Sequence, residues 1–214
     1  MTKQKASSRG SVRARNRAAI LGSAKALLTR DPGASMDDIA AAAGVVRRTV
    51  YGHFANRTEL LTALVRSTVE DFLGIAGDSD RSEVPADEAM AAVVLQIWAA
   101  ARAAWPLVAL SKKALPEEVQ RGMRPFHRRV AGILARGQVD GAFATHLAPD
   151  ALARLVDAIA FAFLEARADG AWTGDERDVA VAVLIALGVR QPDAEAAVAR
   201  SDARREPSSV RPEA

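Results

Sequence analysis

The sequence contains no cysteine. That excludes disulfides, thiolate metal sites, cysteine nucleophiles and thiol redox sensing, and it suits a reducing interior compartment. Aromatic residues are scarce: three Trp, one Tyr and six Phe. His53, His127 and His146 lack paired metal-ligand spacing, so neither a metal nor a cofactor is expected. No nucleophile–base pair or phosphate-cradling glycine loop is present, and no catalytic residue is assigned; the sequence does not read as an enzyme. The start, "MTKQKASSRGSVRARNR", is basic but lacks the apolar run and cleavage site of a secretory signal. The longest apolar run, "VAVAVLIALGV" (Val179 to Val189), is too short to span a bilayer and reads as a buried core helix. Together these absences predict a cytoplasmic protein with no membrane partner.

What is present is a chain that is 50% hydrophobic and 26% charged over 214 residues, enough for a small domain joined to a larger one. The net charge of +3 is unevenly spread. Residues 1–60 hold eleven Lys and Arg against four Asp and Glu; the remainder holds eighteen against twenty-two. A basic end on an otherwise acidic chain points to a polyanionic partner, or to a solvated basic tail.

The pattern is helical almost throughout, which predicts an all-α fold. Alanine and leucine dominate, and hairpin turn pairs are missing. Ile20, Leu21, Ala24, Leu27 and Leu28 lie on one side of a first helix that stops at "DPG" (Asp31 to Gly33). Ser35, with Asp38 three residues on, forms an acidic capping box for a second helix carrying Met36, Ile39, Ala40 and Ala43 on its inner side. Gly44 follows as a left-handed C-terminal cap. Asn56 and Glu59 cap a long helix through Leu60, Leu61, Leu64, Val65 and Phe72. The charged stretch "GDSDRSEVPADE" then marks a domain boundary. Pro106, Pro116 and Pro125 each predict a new helix or a kink, since proline lacks the amide hydrogen and clashes with the preceding turn. Pro149 and Asp150 open another helix.

Between the second and long helices lies "VRRTVYGHF" (Val46 to Phe54). Val50 and Phe54 are four residues apart and face inward; Arg47, Arg48 and Tyr51 lie opposite, with Thr49 and His53 on the flanks. Two short helices around a glycine turn, with Ala40 and Gly44 small at the crossing, give the layout of a helix-turn-helix. Arginine can donate two hydrogen bonds to guanine, and threonine can touch a thymine methyl or a phosphate. Tyr51 and His53 suit phosphate contacts that set register.

The stretch "SMDDIAAAAGVVRRTVYGHFANRTELLTALV" (Ser35 to Val65) resembles the DNA-binding domain of the TetR family of bacterial transcriptional regulators. The resemblance is close from about Arg13 to Phe72. It implies base contacts from Arg47, Arg48 and Thr49, and phosphate contacts from Ser35, Met36, Tyr51, His53, Arg57 and Thr58. Val46 stands where a serine or similar cap often begins the recognition helix, and Arg48 replaces what is often a small residue. Gly52 offers no side chain to read bases and lets the DNA backbone approach. Lys3, Lys5, Arg9, Arg13, Arg15 and Arg17 form an arm that either reaches across phosphates or stays solvated.

The basic start, the charged stretch and the end rich in Ala, Arg, Glu and Pro divide the chain into a flexible tail (1–12), a helix-turn-helix domain (13–77), a larger helical domain (78–190), to which the resemblance assigns effector binding and dimerisation, and a frayed or disordered tail (191–214). A homodimer would pair two helices through Leu152, Leu155, Val156, Ile159, Phe163, Val181, Leu184 and Ile185. Trp98, Trp105, Phe126, Phe161, Glu165 and Trp172 are candidates for an effector pocket, with core packing or a helix-face carboxylate as the alternative for each. The expected function is a regulator, most often a repressor in this family. It would bind a palindromic operator in double-stranded DNA, joining the nucleoid when bound, and be released by an unidentified small-molecule effector. The alternative is a helical DNA-binding protein controlled by abundance or by a protein partner.

Overall fold

The computed structural model describes residues 2–79 and 83–205; the side chains of residues 2–11, 78, 79 and 205 lie outside that description. Among the described residues there are ten α-helices and no strand. They form two compact units: one runs to Val69 and takes in Ala104–Gly122, the other comprises Glu70–Ala103 and the chain from Met123.

The first unit is built on α1 (Thr2–Arg30), α2 (Met36–Ala42), α3 (Arg47–His53), the start of α4 (Arg57–Ser79) and α6 (Trp105–Ala114). Its core joins Ile20, Ala24 and Leu28 of α1 to Met36, Ile39 and Ala40 of α2, then Val50, Phe54, Leu60, Leu61 and Leu64. Complete burial of such side chains stabilises by roughly 1.5–3 kcal/mol each. The turn after α1 is held by Asp31, whose carboxylate accepts from the Gly33 amide at 2.9 Å. Helix α1 runs back through the segment expected as a flexible tail (1–12). The Lys, Gln, Ala and Arg there are good helix formers, so a basic composition alone did not mark the helix end. The side chains of Lys3, Lys5 and Arg9 fall outside the description.

Helix α6 was expected within the larger domain, yet Leu107 is buried in the first core, with Leu110 and Leu115 packed against it. A boundary placed on the polar stretch near 78 registers the change in composition. It cannot register a later helix returning to the earlier core.

The second unit centres on α5 (Ala86–Ala103), which touches α8 (Pro149–Ala168), α9 (Glu176–Ala186) and α10 (Gln191–Arg205). Pro116 and Pro149 begin α7 (Pro116–Val139) and α8, and Pro106 sits in the first turn of α6, as expected of a residue without an amide hydrogen. Pro125 starts no new helix: it lies inside α7, which continues through it.

The expected frayed tail is also corrected. Residues 191–205 form α10, with Ala194, Ala197, Val198 and Ser201 buried at helical spacing. The stripe is made of small residues between charges, so it reads as polar composition although it packs closely. Residues 206–214 lie outside the described residues. Among the described residues, no single helix is long and apolar enough to cross a membrane.

Candidate nucleic-acid interface

Local chemistry fixes the supporting helix first. Ser35 is the N-cap of α2: its hydroxyl accepts from the Asp38 amide at 3.2 Å, and the Asp38 carboxylate accepts from the Ser35 amide at 2.8 Å. The Ser35 hydroxyl also donates to that carboxylate at 2.7 Å. These bonds, the side-chain one foremost, hold the Asp38 carboxyl below its ordinary 3.8, with a small opposing effect of desolvation. At the other end Gly44 takes φ +66°. The Gly44 amide donates to the Ala41 carbonyl and the Val45 amide to that of Ala40, closing α2 with a Schellman motif.

Helix α3 follows with Val46 as its N-cap, and no side-chain hydrogen bond caps it. Val50 and Phe54 are fully buried, which seats the helix on the core. Arg47, Arg48, Tyr51 and Gly52 are exposed on the other side, and Thr49 and His53 are half-buried on the flanks. The three expected base-reading residues therefore come together on one surface. Tyr51 and His53 adjoin them.

That surface has two parts. Arg48, Thr49, Gly52 and His53 share a shallow groove with Val12, Arg13 and Asn16 of α1. Arg47 turns towards α2, where its Nη1 donates to Asp37 Oδ2 at 2.7 Å and its guanidinium lies 5.2 Å from the centre of the Tyr51 ring. Arg17 of α1 caps the Phe54 ring at 5.0 Å. Asp37 and Asn16 carry no signal in the local pattern of residues; only the fold brings them to α3.

The expected phosphate contacts divide. Thr58 and Ser35 are exposed, but Ser35 already serves the α2 cap. The Met36 side chain is buried in the core, so only its backbone amide, in the first turn of α2, can meet an anion. Arg57 is committed inward: its guanidinium donates to the carbonyl oxygens of Ala34 and Pro32, the latter at 2.6 Å. Its sequence neighbour Asn56 accepts from the Glu59 amide at 2.9 Å, while the Glu59 carboxylate accepts from the Ala55 amide at 2.7 Å.

Residues 20–64 match the family model described as bacterial regulatory proteins, tetR family. The match spans the whole of α2, the turn and α3. Over this segment the chain is similar to the TetR family.

The chain is 45% identical over 83 residues to the HTH-type transcriptional repressor LfrR of Mycolicibacterium smegmatis. That match covers 38% of this chain and 43% of LfrR, so it spans less than half of the relative's length. The crystal structure of LfrR from Mycobacterium smegmatis in complex with proflavine is similar over more of the chain. It covers 83% of this chain and 96% of that one at 28% identity, with a TM-score of 0.63. RolR in complex with resorcinol shares the fold across 95% of this chain and 98% of its own, at 18% identity and a TM-score of 0.65.

Of the effector-pocket candidates, Trp98, Phe126 and Trp172 lie in the second unit. Trp98 meets Trp172 edge-on at 5.8 Å, and Phe163 meets Trp172 at 4.8 Å. Phe126 is buried and tilts against Phe72 at 6.2 Å. Trp105 belongs to the first unit, so the six candidates do not form one set. Phe161 is half-buried, and Glu165 is exposed on α8. Of the residues expected to pair two subunits, Leu152, Val156 and Leu184 are buried within their own chain. Leu155 and Ile185 remain 36% and 43% exposed, with Ile159, Phe163 and Val181 half-buried.

Proposed function

We propose that this chain is a transcriptional repressor that binds a palindromic operator in double-stranded DNA as a homodimer and releases it when a small-molecule effector binds. The reading rests most on α3: a short helix seated by Val50 and Phe54 and presenting Arg47, Arg48 and Tyr51 outward, with Thr49 on its flank. Such a helix fits a major groove, where arginine forks read guanine and the flanking groups meet phosphates. Acting on chromosomal DNA, the protein would work in the cytoplasm.

Dimerisation is supported by the apolar residues that the fold leaves uncovered on α8 and α9. Leu155 and Ile185 are exposed, and the small residues Ala158 and Ala162 extend the strip on α8. Two-fold pairing would repeat α3 at about one DNA turn, ~34–36 Å, or a multiple of it. In light scattering the protein should weigh twice its 22.6 kDa, and Leu155→Glu with Ile185→Glu should return it to one subunit.

An effector is supported by two polar atoms in the second unit. Trp98 Nε1 and His127 Nε2 are buried without a hydrogen-bond partner, the latter 3.7 Å from the Asp157 carboxylate. Buried polar groups ordinarily have partners, and a ligand bearing an acceptor would supply one. The repressor LfrR with proflavine and RolR with resorcinol are precedents for ligand binding in similar folds. Helix α4 contributes residues to both units and would transmit the change as a shift between populations, set by the effector's preference for one of them.

The deciding experiment is to incubate the purified protein with fragments of its own organism's genome and sequence those retained. Inverted repeats should be enriched, and the Arg47→Ala, Arg48→Ala double variant, still folded and dimeric, should retain none of them. Recovery no better than random fragments would overturn the reading.

A further inference from the structure

We propose that Asp37 is a specificity-determining positioning residue: it holds Arg47 in the orientation from which that side chain reads a base. The proposal rests on the DNA-binding reading above and adds a residue that nothing in the α3 pattern announces.

A carboxylate beside a surface built for DNA repels phosphate, so Asp37 calls for a reason. Asp37 is the second residue of α2 and Arg47 the first of α3, and they meet at 2.7 Å through one guanidinium nitrogen. One turn along α3, the Tyr51 ring lies 5.2 Å below the same guanidinium. The carboxylate fixes one end of the planar group and the ring fixes its plane. Arg47 is nevertheless 66% exposed and Asp37 53%, so the arginine is presented to solvent and not withdrawn. Among the described residues Asp37 is the one acceptor for the Arg47 fork, leaving four of its five N–H groups for a base edge.

An exposed ion pair adds little to stability. A guanidinium held before binding loses less side-chain freedom on reaching guanine, and it is drawn away from a competing phosphate. Asp37 thus gives up some non-specific attraction and sharpens choice at one base pair in each half-site.

The test compares the full-length wild type with Asp37→Ala and Asp37→Asn on a selected operator and on random DNA of equal length, at several salt concentrations. The capping box of Ser35 and Asp38 is untouched by either change, and thermal melts confirm folding. Both variants lose the same charge, so both should bind random DNA a fewfold more tightly. The ratio of operator to random affinity should fall about tenfold in Asp37→Ala, the scale of one bidentate base contact. It should fall less in Asp37→Asn, whose amide oxygen still accepts from Arg47. In an Arg47→Ala background neither change should move the ratio. An unchanged ratio, an equal fall in both variants, or a fall that persists without Arg47 would overturn the proposal. A wild type with no preference for any sequence would overturn the DNA-binding reading itself, before any variant is considered.

Discussion

Arg57, the first residue of α4, donates to the carbonyl oxygen of Pro32 at 2.6 Å and also bonds that of Ala34, which ties the start of α4 to the turn ahead of α2. A cation expected to meet phosphate thus also braces the helix-turn-helix. Replacing it with alanine leaves two carbonyls without their charged partner, a loss of about 2 kcal/mol. The salt dependence of operator binding should keep its slope, because no phosphate contact disappears. A slope shallower by about one would show that Arg57 meets DNA after all.

Gly52 separates stability from binding. A methyl group added there meets nothing within 4 Å, so the fold has no need of glycine inside α3. Gly52→Ala should stabilise the free protein by up to ~1 kcal/mol through helix propensity. It should also weaken operator binding, because the added carbon stands where DNA backbone would approach. Chemical denaturation and a binding titration on the same preparation check both halves. Equal or tighter binding in a more stable protein would show that the bare position serves no contact.

The α2 cap makes a prediction about acid. Asp38 has its carboxyl held below 3.8 in the folded protein, so its contribution is present above that value and is lost as pH falls through the lower, folded one. Ser35→Ala removes the other half of the box and should cost about 1 kcal/mol at pH 7. Below the folded pKa, Asp38→Asn should melt together with the wild type, although it melts earlier at neutral pH. Melting curves for both proteins across that range would show the gap closing.

Glu88 of α5 is almost fully buried and accepts from Arg200 Nε of α10 at 2.6 Å. Arg204 Nη2 stands 3.0 Å from the other carboxylate oxygen, close enough for an ion pair but outside hydrogen-bond geometry. Arg200→Ala should therefore destabilise the second unit by about 2 kcal/mol, the cost of a buried acceptor left short of its partner. Glu88→Gln should recover part of the loss in that background by removing the charge. A chain ended at residue 190 should be destabilised further, since α10 also buries Ala194, Ala197 and Val198.

The readable part of this protein is local. Ser35 with Asp38, Asn56 with Glu59, the Asp-Pro-Gly turn and Gly44 each act through bonds spanning two to five residues, so a short stretch of sequence specifies them. The same holds for α3, whose two faces follow from helical spacing around Val50 and Phe54. That is why the all-helical class, the helix-turn-helix and the row of Arg47, Arg48 and Thr49 were legible beforehand. The C-terminal helix was legible only in principle. Ala194, Ala197, Val198 and Ser201 keep the right spacing, but alanine and serine give a weak apolar signal among so many charges.

The remainder depends on which distant segments meet. Asp37 reaches Arg47 across ten residues, Arg57 reaches Pro32 across twenty-five, and Glu88 meets Arg200 across one hundred and twelve. Leu107 returns to a core that the chain left some forty residues earlier. No periodicity encodes such pairs, because many charged or apolar residues would serve equally well at each end. Neighbours along the chain were enough to specify the all-helical class, the caps of the helix-turn-helix and the polar row on α3, since those rest on bonds and spacings within a few residues. Tertiary structure alone decided which arginines stay exposed and which are held inside, because packing brings their partners from elsewhere.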